Sequence, residues 1–317
     1  MAERESNVVL GLDPDPSRLW PEAVDAVQWL RAAPKARESG VALDVAAELL
    51  GEPGRPGATR RLAAAAVAAH CALVIDAVAP AVVAVKLQVA CFERLGGAGW
   101  RALRAVAGRA REAGLLVLAD AKRGDIDVTA KAYGQGLFGG LDTPFGAVRG
   151  LGADAATYAP YMGRDTIEAV LGEARAAGGG LFVLVRTSNP GAADLEDRRL
   201  ADGGAVWEAV AEMVHGLGVP GPDSGLHDVG AVVGATVPEH LARARELLPR
   251  APFLLPGVGA QGGRVEDLAP AFAPGRAAGL VTASRSIVRA HEQAGGEPAG
   301  AARAEAERLR ATAWALA

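Results

Sequence analysis

Eight short apolar runs recur along this 317-residue chain, each followed by a Gly-rich or charged turn and then by a stretch with helical spacing. They are Asn7–Leu12, Val82–Leu87, Leu115–Asp120, Ala155–Tyr158, Leu181–Arg186, Gly230–Ala235, Phe253–Leu255 and Gly279–Ala283. Several are apolar at consecutive positions, the pattern of strands buried on both faces. Strand–helix alternation leaves two solutions, a closed (β/α)8 barrel or an open doubly wound sheet, and a count of eight favours the barrel.

Between the runs, helices are expected over Pro21–Ala32, Val41–Leu50, Arg60–Ala79, Val206–Leu217 and Val265–Ala271. Another should start at Asp125 and run through Thr129 and Tyr133. Thr236-Val237-Pro238-Glu239 reads as a capping box with proline in the first turn. GEPGRPGA at 51–58 and GVPGPDSGLHD at 218–228 can only be loop. The segments that hold them, Asp13–Thr59 and Ala201–Val229, have too few apolar residues for cores of their own. The chain therefore reads as one domain, residues 1–317, an α/β fold of the TIM-barrel type with helical and loop insertions. Half its residues are hydrophobic but only 4% are aromatic, so the core must be built from Ala, Val and Leu.

Charge and cysteine content narrow the function classes. With 33 basic and 37 acidic side chains the formal charge is −4, which argues against a nucleic-acid partner. Two cysteines, Cys71 and Cys91, make no disulfide framework, and no Cys/His spacing suggests zinc. The apolar stretch Leu62–Val85 is interrupted by His70, Asp76 and Pro80, so no membrane span is expected. MAERESNVVLGLDP has neither a basic n-region nor an apolar h-region, and a cytoplasmic location is expected. The five histidines lie away from every strand end and read as surface or packing residues.

In a barrel the chemistry stands at the C-terminal ends of the strands. Those ends carry Asp13, Lys86, Asp120 with Lys122, the TSNPG segment with Ser188, the loop PGVGAQGG with Gly259 and Gln261, and Arg285. Only four of the 33 basic residues are lysine, yet two of them, Lys86 and Lys122, fall at these ends. An ammonium can be tuned and can deliver a proton, which a guanidinium effectively cannot. Asp120 and Lys122 are two residues apart and share one face of an extended segment. Asp125 follows, with a plain helix N-cap as its bland alternative. The Gly-rich loop and Arg285 follow strands seven and eight, the usual phosphate position, where backbone N–H groups and a helix N-terminus would hold the anion.

GLDP, VKLQVACFE, ADAKRGDIDVT, TSNPG, PGVGAQGG and the late arginine together resemble the orotidine 5′-phosphate decarboxylase family, in its longer bacterial subfamily, from about Asn7 to Val288. The resemblance implies a barrel homodimer that converts orotidine monophosphate to UMP in pyrimidine biosynthesis, without cofactor or metal. It further implies that Asp13 and Lys86 hold the ribose side and that Asp120 lies beside the substrate carboxylate. Lys122 would protonate C6, and Asp125 and Thr129 would reach into the partner subunit's site. Ser188 would contact the pyrimidine, with Gln261 and Arg285 on the phosphate and Gly259 in the loop that holds it. One departure is Ala159, where Asn is expected before Pro160-Tyr161.

The chemistry is consistent with that assignment. Loss of CO2 from a ring carbon without an electron sink leaves a carbanion, which fixed charge and a nearby acid can stabilise. An alternating Lys86–Asp120–Lys122–Asp125 array supplies both, with ammonium groups flanking each carboxylate. Two other readings remain. One is an Mg2+-dependent phosphosugar decarboxylase or hexulose-phosphate synthase on a related barrel. The other is a non-catalytic phosphoribosyl-nucleotide-binding protein.

Overall fold

The computed structural model describes residues 1–32, 40–50, 57–201, 203–259 and 261–317. Eight parallel strands close a barrel: β1 (Val8–Leu12), β2 (Ala84–Gln88), β3 (Leu116–Arg123), β4 (Ala155–Tyr158), β5 (Gly180–Arg186), β6 (Val229–Val233), β7 (Phe253–Leu255) and β8 (Gly279–Ala283). Their order around the barrel is β1-β8-β7-β6-β5-β4-β3-β2, so each strand pairs with its sequence neighbours and the last returns to the first. All eight expected strands form, with ends shifted by at most three residues, and β1, β6 and β8 are buried along their whole length. The two-stranded hairpin Gly140–Thr143/Gly146–Arg149 has no counterpart in the sequence reading. Its strands are four residues long and largely exposed, so no apolar alternation announces them.

The expected helices at Pro21–Ala32, Val41–Leu50 and Val206–Leu217 form with those bounds, and the long apolar one runs Ala58–Val78. Two details differ. Helix Pro238–Leu247 has Val237 at its N-cap and no side-chain cap bond, so the Thr236 capping box does not form. Proline prefers the first helical position, which puts the cap one residue beyond Thr236. Residues Val265–Phe272 are 3-10 turns instead of an α-helix, because Pro270 inside them cannot donate the α-helical bond. Most of the GEPGRPGA loop, and Ala260, lie outside the described residues.

Backbone contacts divide the chain into two compact units. The first comprises Met1–Val9, Leu118–Ala283 and Arg308–Ala317. Its core joins β4 to β8 with apolar helix faces, and Arg245 is buried inside it. That guanidinium donates to the carbonyls of Leu248, Ala251, Ala271 and Ala278 and lies over the Phe253 ring. One side chain thus donates to four backbone carbonyls.

The second unit comprises Leu10–Val117 and Ser284–Glu307. Helix Ala58–Val78 is its centre, with Ala64 to Ala69 all buried; small side chains there let neighbouring helices approach closely. The stretch Ala58–Ala81 is long and apolar enough to cross a membrane by length and composition, but 72% of its most apolar window is buried in the structure, as in a core helix. His70 on this helix is buried and accepts the Trp20 N–H at Nδ1 (3.1 Å), with the two rings edge to face. The packing role expected for a histidine holds here. Burial, reinforced by the charges of His291 and Arg289, pushes its pKa down to about 4.

A neutral folded-state histidine binds fewer protons than the unfolded chain between pH 6.5 and about 4. Stability should therefore be level above pH 6.5 and fall as the pH drops toward 4, by up to about 3 kcal/mol from this residue. Urea unfolding at a series of pH values would read this slope. His70→Asn, whose carbonyl oxygen can accept the same N–H, should flatten it, and equal slopes in the two proteins would refute the assignment.

Candidate active site

At the end of β3 the chain stops being a regular strand. Pairing with β4 runs Leu118 to Ala155 and Ala119 to Ala156, then resumes with Arg123 opposite Tyr158. Asp120, Ala121 and Lys122 thus lie opposite Thr157 alone, a bulge of the kind that re-aims side chains beside active sites. Lys122 has φ +47°, left-handed backbone that costs a non-glycine residue roughly 1–3 kcal/mol and persists where surroundings enforce it.

The Asp120 carboxylate is buried. Its Oδ1 accepts from Lys122 Nζ at 2.5 Å and from the Thr157 hydroxyl at 2.8 Å. The lysine side chain itself is 45% exposed, so its ammonium is both paired and reachable from solvent. Beyond it, the Tyr158 hydroxyl accepts the Asp125 N–H (3.0 Å) and donates to the Asp125 carbonyl (2.9 Å). Asp125 does not cap the following helix. Helix Asp127–Leu137 has Ile126 at its N-cap, and Asp125 Oδ1 accepts the Ile126 N–H. Thr129 is exposed on the first turn of that helix. Ala159 donates its N–H to the Arg123 carbonyl, and a Cβ at Gly124 would stand 3.1 Å from the Ala159 oxygen. The position where Asn was expected therefore backs the glycine of the loop.

Elsewhere in the same unit the Ser188 hydroxyl donates to Gln261 Oε1 at 2.7 Å. With Oε1 so engaged, the Gln261 NH2 keeps two donors. The Ser188 segment is fixed from behind. Arg186, buried at the end of β5, forms a bidentate pair with Asp197 (2.8 and 2.9 Å), and the Thr187 N–H donates to Glu196 (2.8 Å). Arg186 holds the Asp197 carboxyl below the ordinary carboxylate range. In the Gly-rich loop Gly257, Gly259 and Gly262 have φ of +104°, +76° and +91°, which few other residues adopt. The N–H groups of Gly259, Gly262 and Gly263 bond to carbonyls of the loop itself. The expected cradle of free backbone donors is thus partly closed.

In the second unit Lys86 is buried, with Nζ 3.6 Å from Asp13 Oδ1. Arg94 donates to the Pro14 carbonyl and fixes the turn that carries Asp13. Asp13 and Arg285 line one cleft together with Arg18, His70 and Arg289. Among the described residues no carboxylate holds the Arg285 guanidinium, whereas Arg18 is paired with Glu292. Among the described residues Arg285 is thus a cation without a carboxylate partner on a cleft wall.

Thr157, Tyr158, Arg186 and Arg94 were missed in the sequence. Arg186 had a signal, a charge closing a buried apolar run; the hydroxyls of Thr157 and Tyr158 look like ordinary strand residues. Among the described residues no cluster of three metal-ligating side chains occurs.

Along most of its length the chain is similar to known proteins. Orotidine 5′-phosphate decarboxylase of Rhodopirellula baltica is 41% identical over 260 residues, covering 80% of this chain and 84% of the relative. That of Deinococcus radiodurans is 44% identical over 237 residues, covering 75% and 81%. The structure of Leishmania donovani OMP decarboxylase superposes with a TM-score of 0.66 at 30% identity, covering 98% of this chain and 96% of that one. The family model described as orotidine 5′-phosphate decarboxylase / HUMPS matches residues 40–298. With most of its length matched on sequence and on fold, the chain belongs to the orotidine 5′-phosphate decarboxylase / HUMPS family.

Proposed function

We propose that this protein decarboxylates orotidine 5′-phosphate to UMP, with Lys122 as the acid. The observation that carries the reading is the Lys122 ammonium, 2.5 Å from a buried carboxylate yet exposed, on a backbone held in the left-handed region. In the reaction the bond from C6 to the carboxylate breaks, its electron pair stays on C6, and CO2 leaves. Lys122 Nζ then gives C6 a proton and recovers one from solvent. Before transfer the same ammonium stabilises the developing negative charge, which is strongest where fixed charges replace water. Asp120 orients Lys122. Lys86 and Asp125 belong to the charged array, and Asp13, with Lys86 behind it, takes the ribose hydroxyls. Ser188 meets the pyrimidine; Gln261 and Arg285 hold the phosphate, and Gly259 shapes the loop around it.

The phosphosugar alternative is kept because the matching family description names HUMPS beside orotidine 5′-phosphate decarboxylase. Loss of the orotidine monophosphate chromophore, followed by absorbance with and without EDTA, separates the two: chelator-resistant turnover supports the decarboxylase and no turnover rejects it. Lys122→Ala should lower turnover by at least about 10³-fold while UMP binding stays measurable, since the proton donor acts in the transition state. Turnover near wild type in that variant would remove Lys122 from its role.

Phosphate recognition is tested separately. Arg285→Ala or Gln261→Ala should weaken binding of the monophosphate strongly and that of the phosphate-free nucleoside little, because charge-assisted contacts matter only where their anion is present. Equal damage toward both ligands would disprove the phosphate role.

We also place Asp125 and Thr129 at a site shared between two copies of the chain. Ile126 and Val128 beside them are 52% and 83% exposed, which suits a covered surface. Inactive Lys122→Ala and Asp125→Ala chains, dissociated and reassociated together, should recover about a quarter of wild-type sites, because half the dimers are mixed and each has one intact site. No recovery despite proven exchange would put Asp125 in its own chain's site.

A further inference from the structure

We infer that Thr157 is a positioning residue for the proton donor, an inference that rests on the decarboxylase reading. At the β3 bulge Asp120, Ala121 and Lys122 face one residue of β4, and that residue is Thr157. Regular strand pairing cannot serve the Lys122 peptide in its left-handed conformation, and its N–H donates to Thr157 Oγ1 at 3.0 Å. The same hydroxyl donates to Asp120 Oδ1 at 2.8 Å. A hydroxyl has a single proton, so these two bonds have only one consistent direction, in from the Lys122 backbone and out to the carboxylate.

Thr157 is thus joined to both ends of the lysine. Through the peptide it holds the strained backbone; through Asp120 it holds the carboxylate that anchors Nζ at 2.5 Å. Both bonds are shielded from water, since Thr157 is 2% exposed and Asp120 4%. Buried bonds in a closed set of this kind restrain geometry more than exposed ones do. The neighbouring Tyr158 does the same for the Asp125 backbone with its single hydroxyl. Strand β4 therefore offers two consecutive hydroxyl-bearing side chains, Thr157 to the end of β3 and Tyr158 to the loop after it, and the one at Thr157 lies against the reacting pair. It touches no substrate in this role; it sets where the ammonium stands.

The test compares Thr157→Val, which keeps the shape and removes the hydroxyl, with Thr157→Ser, which keeps the hydroxyl. Circular dichroism and thermal melting check the fold, absorbance kinetics with orotidine monophosphate give kcat and KM, and calorimetry gives UMP affinity. The expected result is a fall in kcat of about tenfold to a hundredfold in Thr157→Val, the scale of a misplaced catalytic group. KM and UMP affinity should stay within about threefold, because the ribose and phosphate contacts are untouched. Thr157→Ser should regain most of the lost kcat. Unchanged kcat in Thr157→Val, parallel losses of kcat and UMP affinity, or a serine variant as slow as the valine one would each overturn the inference. Should Thr157→Val not fold, Thr157→Ala replaces it, and unfolding of both would make the residue structural. A wild-type chain without turnover overturns the decarboxylase reading and this inference with it. An active wild type with unaffected variants overturns the inference alone.

Discussion

One carboxylate oxygen, Asp120 Oδ1, ties together the strand end, its neighbour strand and the lysine. A buried carboxylate is costly unless charge and hydrogen bonds compensate it. Here the compensation comes from the Lys122 ammonium and the Thr157 hydroxyl, and it defines the local fold. Lys122 can reach back to Asp120 only because the strand bulges and its backbone turns left-handed. The conformational strain and the ion pair are therefore two sides of one arrangement, and neither is expected without the other.

The scaffold behind this arrangement is built from small residues. Strands of Val, Leu and Ala buried along their length, and helices with faces of alanine, allow close packing with few aromatic side chains. Polar groups inside that packing each have a defined task. Arg245 takes up four backbone carbonyls, His70 takes the Trp20 N–H, and Arg186 closes the loop that carries Ser188. These are bonds to backbone or to loop carboxylates at the ends of elements, where regular ladders leave groups unsatisfied. Strand ends and loops tied in this way suit the charge-positioning chemistry proposed for the site.

The Gly-rich loop shows how sequence and geometry diverge. Glycines at Gly257, Gly259 and Gly262 signalled a tight loop, and their positive φ values agree. What the spacing did not reveal is that three of its N–H groups would turn inward to the loop's own carbonyls. Nor did it reveal that Pro270 would make the following segment 3-10 turns. The Arg285 guanidinium has no carboxylate partner among the described residues.

Apolar runs separated by helical spacing were enough to define eight strands, their order of appearance and the barrel, because burial on both faces leaves a mark in every residue of a strand. Scarce lysines at strand ends were enough to single out Lys86 and Lys122, because a charge closing an apolar run is visible in one dimension. Thr157, Tyr158 and the bulge were not legible. A threonine or tyrosine in a strand has the same appearance whether its hydroxyl is idle or holds a lysine. The difference is made by a register shift with another strand more than thirty residues away in the chain. Sequence alone therefore determined which residues carry the charge. The tertiary structure decided which hydroxyls bond to the chain around that charge, because hydrogen bonds across strands depend on pairing that local pattern does not encode.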